Sequence, residues 1–152
     1  METIERTIQA SPARVWELWT TPDGISRWWA PDGFRTDVST LDLREGGELV
    51  YTMTAVAPEM VAFMEQNGMP LSTESRKRFT ELREPARIAY ESLIDFVPDH
   101  EAYEHLTEID LVPEGDGTRV VMRVEPLHDA EWTGRLIAGR ANELENLARL
   151  VG

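Results

Sequence analysis

The sequence predicts an α+β fold in which a mostly antiparallel, curved sheet of about seven strands wraps one long C-terminal helix. Three observations predict it. Residues 34 to 125 form a succession of alternating, turn-punctuated segments. Two short proline-initiated helices separate that succession from a first strand. Residues 129 to 150 then keep a helical period to the end of the chain.

Taken in order, Ile4-Glu5-Arg6-Thr7-Ile8 alternates as a half-buried strand does. Ser11-Pro12 reads as an N-cap followed by proline at the first helical position, and Val15, Leu18 and Trp19 give that helix one apolar face. Thr21-Pro22 repeats the device, with Ile25, Trp28 and Trp29 at the same spacing, and Pro31 and Gly33 end the helix. Strands follow at 35–43 and, after the Gly46-Gly47 turn, at 49–56. Residues 76–83 and 87–96 form a hairpin around Glu84-Pro85-Ala86. Residues 105–112 and 118–125 form another across Gly115-Asp116-Gly117.

Between the third and fourth strands lies an inserted segment, 57–77, with a short helix over 58–66 that Asn67-Gly68 stops. A hairpin connection is normally two to five residues, so an excursion of ~20 residues points to a role of its own. Asp129 is a plausible N-cap for the last helix, and Trp132, Leu136, Gly139 or Arg140, Glu143 or Leu144, Leu147 and Leu150 trace its possible inner face.

The 152 residues suit one domain, here taken as 1–152, of which a typical chain buries ~70% of its unfolded surface. An apolar fraction of 41% is that of a globular protein. A formal charge of −13 argues against nucleic acid and against anionic membrane faces as partners. No apolar run reaches the ~18 residues of a membrane-spanning helix, and the polar N-terminus does not read as a signal peptide. With no cysteine there is no thiol nucleophile or thiolate metal site, which fits a cytoplasmic location. The three histidines, His100, His105 and His128, lack metal-ligand spacing, and there is no Gly-rich phosphate loop or nucleophile elbow. Neither a metal nor a cofactor is expected.

The segment SPARVWELWTTPDGISRWWAPDGF, then LREGGELVYTM, FTELREPARIAYE and LVPEGDGTRVVMRV, followed by the terminal helix, resembles the START-like helix-grip superfamily. Within it the match is to the branch related to the activator of the ninety-kilodalton heat-shock protein's ATPase. The resemblance covers nearly the whole chain and implies a cavity between the curved sheet and the last helix. Members include lipid and hormone carriers, cyclases and aromatases, and co-chaperone domains, so fold alone does not fix function.

Strand parity recovers the helix-facing side. Leu49, Tyr51 and Met53 share it, as do Ile88, Tyr90, Ser92, Ile94 and Phe96; His105, Thr107, Ile109 and Leu111; Val120, Met122 and Val124; and Ile4, Arg6 and Ile8. The second and fourth strands give no clean parity, and Phe79 and Leu82 compete for the inner side. An apolar lining with a few directed polar groups suits a small, largely apolar ligand. The expected lining is Trp29, Tyr51, Met53, Tyr90, Ser92, His105, Met122 and Leu136, with Trp132 at a mouth and Phe63 and Met64 on the inserted helix as an adaptable lid. An inward Arg6 would call for an ion pair. Two alternatives remain open: a protein-interaction module, as a homodimer through the inserted helix or a co-chaperone-like domain, and a cyclase-type enzyme using Tyr51, Tyr90, Asp95 or His105 as an acid–base group.

Overall fold

The computed structural model describes residues 1–30, 32–95, 97 and 99–152. Its elements run β1 (Glu2–Ile8), α1 (Pro12–Thr20), α2 (Pro22–Trp28), β2 (Phe34–Leu41), β3 (Glu48–Ala55), α3 (Pro58–Gln66), β4 (Ser72–Arg83), β5 (Arg87–Ile94), β6 (Tyr103–Glu114), β7 (Gly117–Val124) and α4 (Ala130–Val151). The strands form one antiparallel sheet in the order β1-β7-β6-β5-β4-β3-β2. The first two strands in the chain are thus the two edges of the sheet, and α1 and α2 carry the chain between them. This is the helix-grip arrangement: α4 lies on the side of the sheet that α1 and α2 also cover.

The helix starts follow from their caps. The Ser11 hydroxyl accepts from Arg14 N at 3.2 Å, the Thr21 hydroxyl from Gly24 N at 3.0 Å, and the Asp129 carboxylate from Trp132 N at 2.8 Å. Gly47 is required where the β2–β3 connection folds back on itself, because a Cβ there would stand 2.0 Å from Asp42 O.

Both strands of ambiguous parity carry a β-bulge. The register shifts between Val38 and Thr40 in β2 and between Phe79 and Glu81 in β4. Phe79 sits opposite Tyr90 and Leu82 opposite Ile88, so both belong to the helix-facing side. One extra residue resets a period of two, and no single alternation can then describe the strand.

Boundaries differ from expectation in places. β4 begins at Ser72 because Ser72–Ser75 pair with Thr54–Tyr51, extending a ladder that their own polar side chains do not advertise. The connection holding α3 is correspondingly shorter than 57–77. β2 spans Phe34–Leu41, one residue earlier at its start and two at its end, and β5 ends at Ile94. Phe96, expected inward, and Pro31, expected to end α2, lie outside the described residues. Arg6 does face α4 and pairs with Glu145 at 2.9 Å, but its side chain is 43% exposed, because β1 is an edge strand.

Candidate functional site

The registers place a small set of chemically distinct side chains side by side under α4. In β4, Lys77 lies opposite Leu49 of β3 and Ser92 of β5; Ser75 lies opposite Tyr51. In β5, Tyr90 lies opposite Phe79 and Thr107, and Ser92 opposite His105. The α2 cap residue Trp29 completes the cluster, its ring centroid 5.7 Å from that of Tyr51 and 6.0 Å from that of Tyr90. Trp29 itself is held from behind by Trp28 and Trp19, and Trp28 Nε1 donates to Leu18 O at 2.8 Å.

Lys77 is the centre of this group. It is the chain's single lysine among fourteen arginines, and it is 7% exposed. Its ammonium donates to Ser92 Oγ at 2.9 Å and stands 5.1 Å from the Tyr90 ring centroid, 5.6 Å from that of Tyr51 and 5.8 Å from that of Trp29. Three ring faces offset part of the desolvation of a buried cation. From α4, Arg140 descends onto the same Tyr90 ring, its guanidinium carbon 5.8 Å from the centroid. It donates to Tyr90 Oη at 2.9 Å and approaches Met122 Sδ at 3.8 Å. Among the described residues neither Lys77 nor Arg140 has an ion-pair partner, although Glu143, half-buried one turn on from Arg140, acts on both through space.

Burial dominates the acid–base character of the site. It lowers Lys77 to about 7, with the Arg140 charge acting in the same direction and Glu143 opposing. Burial likewise raises the Tyr51 and Tyr90 phenols above their ordinary range and lowers the His105 imidazole. The Glu143 carboxyl is pushed up by burial, against the pull of Arg140 and Lys77. His105 Nε2 bonds Glu125 O, while His105 Nδ1 is buried without a partner among the described residues.

Of the residues expected to line a cavity, the structure brings Trp29, Tyr51, Tyr90, Ser92 and Met122 around the two cations. His105 stands beside Ser92, and Met53 and Leu136 pack against the core. The others lie elsewhere. Met64 is the buried residue of α3, whereas Phe63 is 53% exposed. Trp132 packs with His128 and Arg135 at the start of α4, where His100 and Tyr103 complete a second aromatic group. No cluster of metal-ligating side chains occurs among the described residues. Asp95, considered as an acid–base group, is exposed beside Glu74 and Arg76 and not under α4.

The lining carries more charge than the strand parity implies: Lys77 joins it from β4, and of the alternatives left open for the inner face of the last helix Arg140 turns toward Tyr90. Lys77 falls both at the end of the inserted segment 57–77 and in the strand expected at 76–83, whose parity is ambiguous; its one sequence signal is a spacing of two from Phe79. Arg140 follows Leu136 and precedes Leu144 by four residues each, the spacing of one helix face. The site is also closed: Trp29, Tyr51, Tyr90, Lys77 and Arg140 are each 7% exposed or less.

The family model for activator of Hsp90 ATPase homolog 1-like protein matches residues 9–152. The chain belongs to that family. Solved structures similar to this family member include a protein from Chromobacterium violaceum (24% identity, 99% of this chain and 95% of that one, TM-score 0.76). Others are a protein from Mycobacterium smegmatis (21%, 99% and 89%, 0.74) and the AHSA1 protein of Silicibacter pomeroyi (17%, 97% and 94%, 0.73). At these identities the likeness shows the helix-grip fold alone. No curated protein matches the sequence. No helix among the described residues is long and apolar enough to cross a membrane.

Proposed function

We propose that this family member binds a small organic anion, an apolar body carrying a carboxylate, between the sheet and α4. One observation carries the reading: Lys77 and Arg140 are both buried against one aromatic group without an ion-pair partner among the described residues. A buried cation lacking a close counter-ion is expensive, and a ligand carboxylate would supply the missing charge. Trp29, Tyr51 and Met122 offer the apolar part, as small-molecule sites generally do. Because the cluster is closed, entry requires a local opening of the structure.

The test is a tryptophan-fluorescence titration with cyclohexanecarboxylate and its uncharged twin cyclohexylmethanol. Saturable quenching by the acid, weakened tenfold or more in Arg140→Met, is expected. Affinity should fall as pH rises from 6 to 8, because Lys77 loses its proton near 7. Equal responses to the two compounds would reject the reading.

A second reading rests on a different observation. Val56, Phe63 and Met69, all in the β3–β4 connection, are 47%, 53% and 47% exposed, an apolar surface of the kind that marks interfaces. On this reading the connection joins two copies of the chain, and a concentration-independent monomer in sedimentation would dismiss it.

A further inference from the structure

We propose that Lys77 is a reactive amine which condenses with the carbonyl of a small oxo acid, the carboxylate of that compound being held by Arg140. The inference rests on the anion-binding reading and deepens it by naming the reacting atom and the substrate class.

The geometry supplies three requirements of such chemistry. The first is a single amine in a water-poor place: Lys77 is the chain's only lysine, is 7% exposed, and faces three aromatic rings. The second is orientation. Ser92 Oγ accepts from Nζ at 2.9 Å and fixes the direction of the amine, which makes Ser92 a positioning residue. The third is a fixed positive charge near the same Tyr90 ring, the Arg140 guanidinium, a group whose planar fork suits a carboxylate. Desolvation and the neighbouring guanidinium both favour the free base near neutral pH, as in other lysine nucleophiles. The groups facing Lys77 are Tyr51 from β3, Tyr90 and Ser92 from β5, His105 from β6, and Arg140 and Glu143 from α4.

The step balances without an oxidant. The Nζ lone pair forms a bond to the carbonyl carbon while the carbonyl π pair moves to oxygen. Nζ releases one proton and the oxygen takes one, giving the carbinolamine. Its hydroxyl then takes a second proton and leaves as water while the nitrogen lone pair forms the C=N bond, and loss of the remaining N–H proton restores the proton count. Hydrolysis reverses it and returns both partners.

The 152-residue chain prepared with a free terminal amine at Met1 offers that amine and Lys77 for comparison, which makes the test internally controlled. The protein is incubated with glyoxylate and sodium cyanoborohydride at neutral pH, and carboxymethylated amines are located by peptide mass mapping. Denatured protein shows that both amines can be labelled. The expected result is labelling of Lys77 in the folded protein, slowed at least tenfold by excess cyclohexanecarboxylate, which shields the site, and slowed similarly in Arg140→Met. Formaldehyde, which has no carboxylate, should show no Arg140 dependence. Labelling confined to Met1 overturns the proposal. If that occurs while cyclohexanecarboxylate still binds, the reactive-amine inference falls alone; if binding is absent too, both readings fall. Labelling of Lys77 that neither competitor nor Arg140→Met alters overturns the carboxylate-directed assignment.

Discussion

The two faces of the sheet carry charge in opposite ways. On the outer face Arg87 is surrounded: it bonds Glu81 at 2.7 Å, Asp110 at 3.0 Å and also Glu108, and Arg123 adds a second cation on Asp110. On the helix-facing side Lys77 and Arg140 have one half-buried carboxylate acting on both and no ion pair among the described residues. The outer network is what a structural cluster looks like, with cations matched by carboxylates across neighbouring strands. The inner pair departs from that rule inside the least hydrated part of the molecule. The difference teaches where to look for function, since local rules tend to be broken at sites.

If the inner charge is uncompensated, removing it should stabilise the fold. Lys77 is held at about 7 in the folded chain and is near 10.4 when unfolded. Between those values the unfolded state binds the extra proton, so stability rises with pH across that window. Lys77→Met should therefore be more stable than the parent at pH 6, on the order of 3–5 kcal/mol in urea denaturation, with the gain shrinking toward pH 10. Tyr51, Tyr90, His105, Arg140 and Glu143 remain in both proteins, so the difference isolates Lys77. A loss of stability at pH 6 would mean that the inner cation is paired as well as the outer one.

The outer face should respond with the opposite sign. Arg87→Met leaves three carboxylates facing one another and is expected to lose about 2 kcal/mol, less than a fully buried pair because the rim is partly hydrated. Burial opposes ionisation of Asp110, yet Arg87 and Arg123 together hold its carboxyl below the usual range. Its contribution is therefore present at neutral pH and lost as pH falls through the acid range, and Arg87→Met should flatten acid denaturation there. An unchanged acid profile would show that the outer network contributes nothing.

The smallest effect belongs to neither face. Phe63→Ser on α3 should change stability by less than ~0.5 kcal/mol, because the ring is exposed. A larger loss by thermal melting would indicate that Phe63 is covered in solution, as the dimer reading requires.

Much of the fold is legible in local patterns. Ser11-Pro12, Thr21-Pro22 and Asp129 announce helix starts that the hydrogen bonds reproduce. Alternation identifies the helix-facing side of β3, β5, β6 and β7, and with it Tyr51, Tyr90, Ser92 and Met122. Alternation fails in β2 and β4 because each is bulged, and β4 is the strand that holds Lys77.

The sequence by itself determined the element order, the antiparallel hairpins and the apolar face of each regular strand, because those depend on periodicity and turn chemistry within a few residues. Only the tertiary structure decided that the single lysine lies inside and that Arg140, and not Gly139, turns toward Tyr90. Both depend on how an irregular strand is offset against its neighbours and how a long helix is rotated on the sheet. Packing sets those quantities over the whole domain, and no local spacing records them.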